Sequence, residues 1–172
     1  MVALRKPNAQ EVERMLASGI DGEVSAIELA NTPRLFNFTT GVYADFTCQM
    51  VGALVVDMKL CCCLLGAFEG LEEEAAQDLL LTQELTSAHG DVLRGLFEVL
   101  SCMFFLEDGS DRLRCTLHEV VDSVDGLTTE VKRFMAAPPR HSCFQIAVSG
   151  YGEGTLVYIA VDAVELESGR DE

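Results

Sequence analysis

Basic residues are scarce in this 172-residue chain: 12 lysines and arginines stand against 28 aspartates and glutamates, for a formal net charge of −16. Such a surface repels polyanions, which excludes nucleic acid and anionic membranes as default partners. The first residues, MVALRKPNAQEVE, lack the apolar centre that a secretory signal carries. No apolar run reaches the ~18 residues of a membrane-crossing helix; the longest, Met50 to Phe68, is interrupted by Asp57 and Lys59. Metal-ligand spacing of cysteine is also missing. There are seven cysteines, an odd number, with no CxxC pair, and the consecutive Cys61, Cys62 and Cys63 cannot all converge on one ion. They read as small buried hydrophobes of a reduced, cytoplasmic protein. Linkers, low-complexity tracts and internal repeats are absent too, so the expectation is a single domain over residues 1–165 and a polar tail over 166–172.

What the chain does have is apolar material: 49% of its residues are hydrophobic, enough for one well-filled core. The organising stretch is Leu81 to Phe105, LTQELTSAHGDVLRGLFEVLSCMFF. At about 3.6 residues per turn it reads as one long amphipathic helix. Leu81, Leu85, Ala88, Val92, Leu96, Val99 and Met103 fall on one side, widened by Leu93 and Leu100. Gln83, Ser87, Arg94 and Ser101 fall opposite, and Glu84, Asp91 and Glu98 line a flank. Seven residues of helix span about 10 Å, too far for neighbouring carboxylates in that line to share a proton or a metal ion. Gly90 and Gly95 each cost roughly 1 kcal/mol against alanine in a helix interior. One reading is a break in which His89-Gly90 ends one helix and Asp91 caps the next. The apolar stripe keeps its phase across Gly90, which argues instead for a continuous helix in which Gly95 lets a neighbour come close.

The remaining elements follow from periodicity and turn chemistry. Asn8 and Glu11 form a capping box for a short helix with Val12, Met15 and Leu16 inward. Strands are expected at Val24 to Ala30, Phe38 to Cys48 and Met50 to Val56. Asp57 caps a helix from Met58 to Phe68, and a further helix, Leu71 to Leu80, opens on the acids Glu72 to Glu74. After a turn at Glu107 to Asp111, Arg112 to Val121 alternates as a strand. A helical turn lies near Thr129 to Met135. The clearest hairpin joins Cys143 to Ser149 with Thr155 to Ala163 through GYGEG, and its second strand, apolar on both faces, reads as central in its sheet. Helix, strands, three helices and then strands make an α+β fold: a mainly antiparallel sheet packed by helices, one of them the long central helix.

Local motifs for chemistry are weak. No signature unites a cysteine and a histidine as a nucleophilic pair. His89 lies at the edge of the helix, His118 on a strand and His141 in a polar loop, all in packing or surface settings. GYGEG lacks the GxxxxGK(S/T) pattern and is flanked by two strands, so it reads as a hairpin turn. No catalytic, cofactor-binding or metal-ligating residue is assigned.

In element order, and most specifically in DVLRGLFEVLS followed by RLRCTLHEV, the chain resembles the CheC/CheX/FliY family of chemotaxis phosphatases. The family signature is Asp or Ser, three residues, Glu, two residues, Asn, and a distant Pro. Its Glu and Asn enter the phosphoaspartate site of a response regulator, where the Asn amide orients the attacking water. In this chain Asp91 fits the first position, Gly95 stands at the Glu position, Glu98 at the Asn position, and Val121 near the proline. Gly95 brings no side chain, while Glu98 has no amide donor and repels an acyl phosphate. The resemblance therefore implies a CheX-like fold and a non-enzymatic protein-interaction domain. Asp91, Gly95 and Glu98 are its candidate interaction face, and a receiver-type or signalling protein, or a second copy, its partner. The alternative is a phosphatase acting on a phosphorylated response regulator through altered residues. A small-ligand-binding domain is the third reading, and it requires a pocket.

Overall fold

The computed structural model describes residues 2–20, 22–35, 37–106, 115–123 and 125–164. Six antiparallel strands form the main sheet: β2 (Val24–Leu29), β3 (Phe38–Ala44), β4 (Met50–Asp57), β6 (Thr116–Val121), β7 (Arg140–Val148) and β8 (Gly152–Ala160). Their spatial order is β2-β7-β8-β4-β3-β6. As the apolar pattern required, β8 is central, between β7 and β4, and it is buried from Gly154 to Ala160. The helices are α1 (Ala9–Ala17), α2 (Met58–Glu69), α3 (Glu73–Thr82), α4 (Ser87–Leu100) and α5 (Thr129–Ala136). The architecture is α+β, with α1, α2 and α4 over one face of the sheet and α5 over the other.

Local chemistry accounts for the element boundaries. Asn8 accepts from the Glu11 amide at 3.0 Å, and Glu11 Oε2 accepts from the Asn8 amide at 2.9 Å, closing the expected capping box. Arg5 donates twice to the same carboxylate, at 2.6 and 2.8 Å, and this hydrogen-bonded pairing holds the Glu11 carboxyl below its ordinary range. Asp57 caps α2 through the Leu60 amide at 2.7 Å and also receives the Thr155 amide of β8 at 2.7 Å. One carboxylate thus ties helix to sheet. Gly70 ends α2 in the left-handed conformation, φ 62°. The hairpin turn uses Gly150 at φ 83° and Gly152 at φ 120°.

Two faces of the sheet make two cores. On the inner face Tyr43, Leu54, Phe144, Ile146, Leu156 and Tyr158 meet the helices. The rings of Tyr43, Phe104 and Tyr158 pack in series with tilted planes, at 4.9 and 5.3 Å between centroids. On the outer face Val55, Cys143, Val157 and Ile159 form a smaller cluster, and Val42 packs with Leu127 and Val131 in another.

Two expectations need correction. Leu81 to Phe105 is not one helix. Gln83 takes φ 52° and closes α3, Thr86 caps α4, and after Leu100 the chain tightens into a 3-10 turn, Ser101–Met103. Continuity through Gly90 holds. The buried stripe is Leu93, Leu96, Phe97 and Leu100, whereas Leu81 is 84% and Val99 45% exposed. The phase shifts because Leu81 and Leu85 precede the helix and no longer set its wheel. The second correction is a small three-stranded sheet that the sequence pattern did not reveal. Its strands are β1 (Val2–Arg5), β5 (Phe105–Leu106) and β9 (Ala163–Val164), in the order β5-β1-β9. Segments of two to four residues are too short for alternation to register. The expected turn at Glu107 to Asp111, the start of the strand at Arg112 to Arg114 and the tail 166–172 lie outside the described residues.

Candidate interaction face

Four contacts set the orientation of α4. Thr86 Oγ1 accepts from the His89 amide at 3.3 Å, and His89 Nδ1 accepts from the Thr86 amide at 3.2 Å, a capping box in which histidine replaces the usual Glu or Gln. The other imidazole nitrogen faces Glu69 of α2 at 3.9 Å. Under the middle of the helix, the Phe97 ring lies where a Cβ on Gly41 of β3 would stand. The buried Tyr43 hydroxyl donates to the Phe97 carbonyl at 2.7 Å. Burial pushes the Tyr43 phenol well above its ordinary value, so it stays a neutral donor.

With the side of Leu93, Leu96, Phe97 and Leu100 seated, the opposite side of α4 faces solvent. Asp91, Arg94, Gly95 and Glu98 are all exposed. Asp91 and Gly95 are one turn apart, and Glu98 follows three residues later on the same side. A Cβ built on Gly95 meets nothing within 4 Å, and the same is true at Gly90. Packing against the described residues therefore does not account for either glycine. Val121, at the position of the family proline, lies on β6 and pairs with Thr40. Chemically the face offers two carboxylates, one guanidinium and a stretch of uncovered backbone. It has no side-chain amide to orient a water.

Glu72 precedes α3 at its N-cap, and Glu73 and Glu74 occupy its solvated first turn. His118 and His141 are exposed on β6 and β7. Among the described residues no group of three His, Cys, Asp or Glu is placed to hold a metal ion, and no helix is long and apolar enough to cross a membrane. Cys61, Cys62, Cys63 and Cys143 are buried; Cys48, at φ 61° in the β3–β4 turn, is exposed. Burial raises the thiols of Cys61 and Cys63 to about 12 and of Cys62 to about 11. Thiol titration of the native protein should find one rapidly reacting group, lost in Cys48→Ser, and seven after denaturation. A fast reaction that survives Cys48→Ser would mean that a helix or strand cysteine is open to reagent.

Phe97, Gly41 and Tyr43, which hold the face in place, were not marked by sequence reasoning. A signal existed for Phe97, four residues beyond Leu93, but the break at Gln83 hid the correct phase.

No family model matches the chain, and no curated protein does. Among solved structures, the FliM middle domain from H. pylori is similar over 89% of this chain and 84% of that one, with a TM-score of 0.56 and 10% identity. FliY of Thermotoga maritima covers 88% of this chain and 82% of its own, with a TM-score of 0.47 and 10% identity. The FliM likeness establishes a shared fold, the one implied by the sequence resemblance. At such identity it assigns no residue a role.

Proposed function

We propose that this chain is a non-enzymatic interaction domain that docks a protein, of receiver type or another signalling class, on the exposed side of α4 around Asp91, Gly95 and Glu98. The observation that carries the reading is Gly95. It stands where the resembling family keeps a working glutamate, it costs α4 roughly 1 kcal/mol, and none of the described residues occupies the space beside it. Bare backbone bordered by Asp91 and Glu98 suits the close approach of a partner with basic or hydrogen-bond-donating groups. The same residues are ill suited to dephosphorylation, because a carboxylate at 98 repels the acyl phosphate that an amide would accommodate.

The test pairs two substitutions. Gly95→Ala should stabilise the protein by up to ~1 kcal/mol and keep the partner. Gly95→Arg should fold with unchanged or slightly higher stability and lose the partner recovered by in-cell crosslinking of the wild type. Identical crosslinked partners for Gly95→Arg and wild type would defeat the docking reading. Phosphorylated receiver domains mixed with wild-type protein should lose phosphate no faster than alone. Acceleration would establish the phosphatase alternative instead. The pair Gly95→Glu and Glu98→Asn gaining that activity would show that the surrounding site is intact.

A further inference from the structure

On the sheet face turned away from α4, a cavity of about 430 Å³ opens between α5 and the segment that joins β2 to β3. Val55 of β4 and Val157 and Ile159 of β8 form its floor, each no more than 5% exposed. Leu35 and Phe38 wall it on the joining segment's side and Met135 on the side of α5. Among the described residues, the polar side chains of its lining are His141 and Thr32. The size falls within the roughly 300–1,000 Å³ of small-molecule sites, and so does the design of an apolar interior with a few convergent polar groups.

The lining also states what the occupant must be. Among the described residues it contains no Lys, Arg, Asp or Glu. A charged ligand would lose its hydration against aliphatic walls without a compensating partner. An anion would in addition meet the field of a chain with net charge −16. We propose that this cavity binds an uncharged, largely apolar small molecule carrying one hydrogen-bonding group, with its body on Val157 and Ile159 and that group toward His141 and Thr32. The site is separate from the α4 face and does not depend on the reading given for it.

N-phenyl-1-naphthylamine, a neutral aromatic dye with a single N–H, is a suitable probe of the full chain. Its fluorescence should rise saturably with one site per chain, and 1-decanol should displace it at least tenfold more effectively than decanoate. Met135→Trp and Leu35→Trp fill the cavity from opposite walls. Each should weaken the dye at least tenfold while circular dichroism and melting temperature stay within error of wild type. Leu81→Ser, at a residue that is 84% exposed and is not part of the cavity lining, should leave binding unchanged. The proposal is overturned if wild-type binding does not saturate, if either folded tryptophan variant binds like wild type, or if Leu81→Ser removes the signal. Equal displacement by decanoate would overturn the uncharged character of the ligand.

Discussion

Phe97→Ala should lower unfolding stability by about 3–5 kcal/mol, the range for large aromatic truncations in a core. The side chain is 2% exposed and fills the space left by Gly41 on the adjacent strand. The glycine cannot move to close the resulting void, because β3 is paired on both sides, to β4 and to β6. Stability of single domains is about 5–15 kcal/mol, so the loss would be a large fraction of the whole. A denaturant melt should show the midpoint shift with little change in slope. Since Tyr43 donates to the backbone carbonyl of residue 97, that hydrogen bond survives the substitution. Helix α4 should then stay in place but tilt more freely, and amide exchange along it should speed up. A loss below 1 kcal/mol would mean that α4 is not anchored through this ring, and the placement of Asp91, Gly95 and Glu98 would fall with it.

Gly52→Ala is the second large effect, opposite in kind. Here one methyl is added where there is no room. The new Cβ would overlap the Ile159 carbonyl oxygen and come within 2.5 Å of the Phe104 ring and 3.1 Å of the Ala160 Cα. A ring edge can turn aside. The Ile159 carbonyl belongs to the backbone of β8, whose register with β4 pairs Gly52 with Ala160, so relief requires the two central strands to part. Overpacking of this kind costs about 1–3 kcal/mol and occasionally more, and the backbone contact places this site at about 3. Soluble yield and melting temperature should both fall. Gly95→Ala is the matched control, because the same methyl there meets open space. If both substitutions were neutral, the pairing of β4 with β8 at Gly52 would be wrong.

These two positions show where sequence reading reaches its limit. Gly41 and Gly52 each sit inside a strand, and a glycine there can mark a close approach. Only the assembled sheet reveals what approaches: an aromatic ring from α4 at one, a neighbouring strand's carbonyl at the other. Gly90 and Gly95 look alike in sequence to packing glycines, yet both face open space.

The α+β class, the central place of β8, the Asn8–Glu11 box, the Asp57 cap and the exposure of Asp91 and Glu98 were legible from residues alone. Each rests on short-range rules: alternation along a strand, the reach of a carboxylate to an amide three residues on, or the angle between positions on a wheel. The family likeness likewise came from spacing within one helix and the strand that follows. What needed the tertiary structure lies between distant segments. The break at Gln83 cannot be told by local pattern from a continuing helix, and the contact of Phe97 with Gly41 helps set which stripe of α4 is buried. The sheet of β1, β5 and β9 joins residues near both ends of the chain to its middle, through strands too short to leave a periodic trace. The cavity over Val157 and Ile159 was invisible for a further reason. Its floor and walls come from four separate stretches, and an apolar residue reads the same in sequence whether a helix covers it or a space does.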